Sequence, residues 1–161
     1  MKRSTLTRTG FSLAEAIAAI LILAVSIPTT VSMLTDAASA RIDASHASRA
    51  TWYATIVMEH IIADAASTSD GLGMEGFADA ASYLDAPGTG LNSRIASVIE
   101  PYTAAGFAHT VDLRTPVAAD GLPTGQPDLD AYRYVTVTIS WTSPRRGATS
   151  MSVSTLVSEA G

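Results

Sequence analysis

From Phe11 to Leu34 the chain reads FSLAEAIAAILILAVSIPTTVSML, apolar almost throughout, with Glu15 as its single charge. Wound as a helix, this stretch reaches about 36 Å, enough to cross a bilayer's hydrocarbon core of about 30 Å. Pro28 lies inside it and withdraws the hydrogen bond due to the Ala24 carbonyl, so a kink or a loosened turn is expected there. An amphipathic pattern then takes over. Ala40, Ala44, Ala47, Ala54, Met58, Ile61 and Ala65 recur at a spacing near ~3.5, and Trp52, Ile56 and Ile62 widen that face. The spacing predicts one continuous helix of about 50 residues, stopped by Ser67-Thr68-Ser69-Asp70-Gly71.

Beyond that point the pattern changes. Gly71 to Gly90 is rich in Gly, Asp and Ala and reads as loop, while Leu91, Ile95, Val98 and Ile99 predict a short helix before Pro101. Phe107, His109, Val111 and Leu113 alternate with polar or small residues, which predicts a strand. A loop with Pro116, Gly121, Pro123, Gly125 and Pro127 follows. The clearest alternation comes last. Val135, Val137, Ile139 and Trp141 face one way and Thr136, Thr138 and Ser140 the other, with Met151, Val153, Thr155 and Val157 continuing after the turn Ser143-Pro144-Arg145-Arg146-Gly147. This predicts an antiparallel hairpin with one buried and one hydroxyl-rich face. A long helix followed by antiparallel strands places the chain in the α+β class.

Composition narrows the function classes. Apolar residues make up 47% and charged residues 16% of the 161, against about 25% charged in an average soluble domain, so this is no solvating disordered chain. The net charge is −5, and Arg145-Arg146 is the largest basic cluster after residue 10; both argue against binding nucleic acid through its phosphates. With no cysteine, disulfides, thiolate zinc sites and Cys nucleophiles are excluded. Gly71-Leu72-Gly73-Met74-Glu75-Gly76 matches G-x-G-x-x-G, yet a dinucleotide site needs a preceding strand, and a helix is expected here. His46, His60 and His109 have no second ligand at metal spacing, and no H-E-x-x-H or G-x-S-x-G occurs. Asp120, Asp128 and Asp130 gather in the loop before the hairpin without the spacing of a Ca²⁺ site. No catalytic set, cofactor or metal is expected, and the chain reads as something other than an enzyme.

The charges are unevenly placed. Residues 1–10, MKRSTLTRTG, carry Lys2, Arg3 and Arg8 and no acid, whereas residues 35–49 balance Arg41 and Arg49 with Asp36 and Asp43. Counting bases, this favours the amino terminus in the cytoplasm and the bulk of the chain outside. Three readings compete. A secretory signal cut after Ala38-Ser39-Ala40 would release a secreted binding domain, although the apolar run is long for that role and holds a carboxylate. A non-polymerising bitopic membrane protein would leave Glu15 at the interface, reaching for water. The third reading takes Gly10, Phe11 and Glu15 together. A glycine before a scissile bond lets a protease approach closely because no Cβ intervenes. A lone carboxylate is costly in hydrocarbon and needs a partner, and a cut at Phe11 would create a cationic amine four residues away.

Thr9-Gly10-Phe11-Ser12-Leu13-Ala14-Glu15, behind a short basic leader and ahead of an apolar run, resembles the amino-terminal signal of type IV prepilins and type II secretion pseudopilins. The resemblance implies that prepilin peptidase removes residues 1–10 by cutting between Gly10 and Phe11, then N-methylates Phe11. It implies a pilin fold: residues 11–34 as the membrane and filament-core helix, 35–66 as its amphipathic continuation, and 67–161 as a globular domain with carboxy-terminal antiparallel strands. Glu15 would pair with the terminal amine of a neighbouring subunit, fixing register more than driving assembly. Pilins often carry a proline about one turn later than Pro28. The Ala-rich stretch Ala47 to Ile62 and the closing hairpin resemble minor (pseudo)pilins of the I/V type, and the presence of Glu15 separates the chain from the tip subunit that lacks it. Implied partners are other pilin or pseudopilin subunits, prepilin peptidase and the inner-membrane assembly platform. The implied location is the cytoplasmic membrane, then a periplasmic or cell-surface filament.

Overall fold

The computed structural model describes residues 11–126 and 129–158. It divides after Arg41 into two compact units. The leader, with Gly10, lies outside the described residues.

Helix α1 runs from Leu13 to Ala65 as one unbroken element, and Pro28 does not end it. Hydroxyls flank the proline and bond back to the helix: Ser26 Oγ donates to the Ile22 carbonyl (2.6 Å), Thr29 Oγ1 to Ser26 (2.8 Å) and Thr30 Oγ1 to Ser26 (2.8 Å). Such back-bonding hides polar groups where no water is at hand. In the first unit no residue from 11 to 41 is buried, and Ile20, Leu21, Ile22, Leu23 and Val25 are all exposed. The helix is long and apolar enough there to cross a membrane.

The second unit, from Ile42 on, holds the core. Its helical face is Ala50, Tyr53, Ala54, Val57, Met58, Ile61, Asp64 and Ala65, which keeps the expected stripe from Ala54 on and corrects it before that point. Ala40, Ala44 and Ala47 are exposed, as are Trp52, at 64%, and Ile62. Tyr53 and Val57, not the alanines, carry the volume that fixes which side faces inward.

Gly71–Gly90 is not plain loop: it contains α2 (Gly73–Gly76) and α3 (Ala80–Asp85). Asp79 caps α3 by accepting from the Ser82 amide. Gly73 has a φ of +76°, and a Cβ there would meet the Ser67 carbonyl at 2.8 Å. The glycine motif therefore folds the chain tightly back after α1. Helix α4 (Leu91–Thr103) buries Leu91, Ile95 and Ile99 and continues through Pro101, a turn past the expected stop. The proline deprives only the Ser97 carbonyl of a donor, and Ser97 is exposed, so water can supply it.

Strands β1 (Ala108–Val117), β2 (Tyr132–Ser143) and β3 (Gly147–Ser158) form an antiparallel sheet in the order β1-β2-β3. The β1–β2 register runs from Ala108↔Ser140 to Leu113↔Val135 and slips before Pro116, which cannot donate to the ladder. β2 and β3 pair without a break from Tyr132↔Ser158 to Ser143↔Gly147. On the outer face, Thr136 meets Ser154 and Thr138 meets Ser152, each at 2.8 Å, a ladder of cross-strand hydroxyl bonds. Val135, Val137, Ile139 and Val157 join the helical face, Phe77, Phe107 and the α4 residues in one core. The architecture is thus α+β, with the carboxy-terminal part of a long amino-terminal helix packed on a three-stranded antiparallel sheet. Ser143 ties the hairpin turn to α1, donating to Asp43 Oδ1 (2.7 Å) and accepting from the Arg145 and Arg146 amides.

Candidate assembly site at the amino end of helix α1

A helix leaves its first amides without partners, and the residue just before it decides how they are met. Here that residue is Ser12. Its hydroxyl accepts from the Glu15 amide (3.2 Å), and its carbonyl receives the first helical bond, from Ala16 (3.1 Å). Glu15 reaches back in return: its Oε2 accepts from the Ser12 amide at 2.9 Å and from the Ser12 hydroxyl at 3.1 Å. This is a capping box, the reciprocal pairing that S-x-x-E before an apolar run encodes. A carboxylate also suits the positive end of the helix dipole. Reading Glu15 only as a group awaiting a partner overlooked Ser12, although the four residues Ser12 to Glu15 carry the motif in plain order.

Of the expected site residues, Gly10 lies outside the described residues, Phe11 is 78% exposed and Glu15 sits in the first turn. The fold brings Phe11, Ser12 and Glu15 together, with the carboxylate turned toward the peptide that joins Phe11 to Ser12. Both bonds from Ser12 go to Oε2. The other oxygen makes none among the described residues and can receive an external cation.

Two polar clusters and a loop carboxylate in the second unit are closed by neighbouring side chains and backbone. Arg94 donates through both terminal nitrogens to Asp64, at 2.7 and 2.6 Å, and the Tyr83 hydroxyl donates to Asp64 at 2.6 Å. Burial, then the hydrogen bond to Asp64, pushes the Tyr83 phenol far above its usual range. The bond to Asp64 likewise raises Arg94. His109 joins Tyr53 through Nδ1 (2.7 Å) and Asn92 through Nε2 (2.9 Å). In the loop, Asp130 accepts from the Thr124 amide and hydroxyl, both at 2.9 Å, and from the Gly125 amide. These donors, the Thr124 amide first, hold its carboxyl below the usual range. Asp120 accepts from the Leu122 amide, and Asp128 lies outside the described residues. The loop acids thus hold backbone, and among the described residues no three metal-ligating side chains converge.

Set against protein-family models, curated proteins and solved structures, the chain matches none.

Proposed function

We propose that the chain is a pilin-like subunit, of the minor type, in a type IV pilus or a type II secretion pseudopilus. Prepilin peptidase cuts before Phe11 and methylates it, and the apolar half of α1 then passes from the membrane into a filament core. The observation that carries this reading is the junction itself. Gly10-Phe11 stands directly before α1, and Glu15 in its first turn heads a stretch to Leu34 whose apolar residues have no cover among the described residues. A run of that size is covered by lipid or by other subunits. The free Glu15 oxygen suits the amine of an adjacent subunit while Ser12 keeps the other. Its partners are then other pilin or pseudopilin subunits and the inner-membrane assembly platform, with the amino terminus inside and the second unit outside.

A second reading has its own support. A signal-peptidase cut after Ala40 would fall one residue from the unit boundary at Arg41 and release the sheet-bearing unit as a secreted binding domain. That cut would have to open α1 in its interior, since Ala38–Ala40 is helical.

Mass spectrometry of material from the native host separates the possibilities. The filament reading expects methylated Phe11 as the first residue, and Gly10→Leu to block processing. A chain beginning at Arg41, or an intact Met1, overturns it.

A further inference from the structure

Arg133 stands where a sheet residue should be apolar. It lies on the core-facing side of β2, in alternation with Val135, Val137 and Ile139, and is only 8% exposed. Pro116 of β1 and Val157 of β3 flank it in the ladder. Its Nε is buried with no hydrogen-bond partner among the described residues, and neither ion pair found among them includes it. Burial depresses its pKa, but a guanidinium keeps its proton in a protein. A buried, unpartnered nitrogen on a cationic side chain is costly, so the site favours an anion.

Space for one adjoins it. A cavity of about 770 Å³, lined by Arg133, Tyr132, Met74, Pro116, Glu75 and Asp130 among others, opens at this end of the sheet. The volume lies within the usual range of ligand pockets. The lining also sets the charge of the guest. Asp130 is engaged by Thr124 and Gly125, and Glu75 is exposed at the wall. A doubly charged phosphate would meet two like charges for one guanidinium, whereas a single carboxylate fits the planar fork of arginine. Met74, Pro116 and Tyr132 offer apolar wall to the body that carries it.

We propose that this cavity is a carboxylate-binding site, with Arg133 as the receiving cation and an apolar or aromatic acid as the ligand class. The inference is independent of the filament reading. The carboxylate has two possible sources: an outside molecule, or the chain's own Glu159, which follows the cavity residue Ser158 in sequence.

The test titrates sodium benzoate into ¹⁵N-labelled full-length protein in detergent micelles and follows the Arg133 Nε–H resonance. Benzyl alcohol and inorganic phosphate serve as comparators. A chain ending at Ser158 is titrated in parallel. Saturable benzoate shifts are expected, with none from benzyl alcohol and binding of phosphate weaker by about tenfold. Arg133→Met should weaken benzoate binding by at least about tenfold, with no loss of thermal stability because the orphan charge goes too. Benzoate binding to both chains assigns the ligand to an outside source. Binding only to the shortened chain assigns the site to the chain's own Glu159. The absence of saturable benzoate binding to either chain overturns the proposal, as does phosphate or benzyl alcohol binding as tightly as benzoate.

Discussion

Asp64 is a carboxylate on the core side of α1, held by a two-pronged Arg94 and by the Tyr83 hydroxyl. It locks the segment after α1 against that helix, because Tyr83 lies on α3 and Arg94 on α4. Replacing it with leucine strands a guanidinium and a phenol at once. The expected cost is about 3 kcal/mol in denaturant unfolding, since breaking one side of a buried pair leaves the other uncompensated. Adding Arg94→Met should recover part of it, with a coupling of about 1 kcal/mol or more; strictly additive losses would refute the pairing. His109 gives a pH prediction. Asn92 Nδ2 donates to Asp85 at 2.8 Å, which turns its oxygen toward His109. His109 Nε2 then donates to Asn92, and Nδ1 accepts from the Tyr53 hydroxyl, whose pKa burial pushes up to about 12. Burial also lowers the pKa of His109. Below about pH 6.5 the unfolded chain protonates this histidine while the folded chain resists. Stability should therefore decline as pH falls from there toward the folded-state pKa. Denaturation midpoints between pH 7 and pH 5 check this, and His109→Gln should flatten the slope; an unchanged slope would remove the assignment.

At the scale of elements, the amino end of α1 separates two duties of one side chain. Ser12→Ala removes the cap and leaves the charge, Glu15→Gln keeps a capping side chain without the charge, and Glu15→Ala removes both. If Glu15 pairs with a neighbour's amine, all three variants are processed, Ser12→Ala still enters the filament, and the two Glu15 variants fail or enter out of register. Quantifying each variant in sheared filaments reads this directly; normal incorporation of Glu15→Gln would reduce Glu15 to a helix cap. Periodicity announced the elements whose neighbours repeat a simple rule. β2 and β3 alternate over their whole pairing, and both were legible, as was a helix running from the apolar stretch to Ala65. Its buried face was legible from Ala54 on, where Ala54, Met58, Ile61 and Ala65 are all buried, but not before, because alanine scatters along all sides of this helix and Tyr53, Val57, Met58 and Ile61 bring the area that chooses one. Helices α2 and α3 were hidden by glycine and aspartate, residues that also mark loops; here Gly73 makes a close approach and Asp79 caps. The Asp64 cluster joins residues 19 and 30 positions apart, a separation that no spacing rule reaches. Arg133 was readable from the β2 alternation alone, two places before Val135, but its lack of a partner is a property of the packed chain.

For the molecule as a whole, the division after Arg41 has an energetic consequence. Every core residue lies at Ala50 or beyond, and none between 11 and 41 is buried. The described residues of the first unit are themselves unburied and expose a continuous apolar surface that water tolerates poorly. Stability and solubility are thereby assigned to different parts of one chain. A chain of residues 42–161 retains the whole helical face from Ala50 to Ala65, the Asp43–Ser143 tie and all three strands. It should be soluble without detergent and melt within about 4 °C of the full chain, the shift that about 1 kcal/mol produces in a domain of this size. The full chain should need detergent or lipid to stay dispersed. Circular dichroism melts of both, the long form in micelles, make the comparison. A drop well beyond that margin would mean that residues 1–41 support the domain directly, and the apolar half of α1 would then have a partner within its own chain.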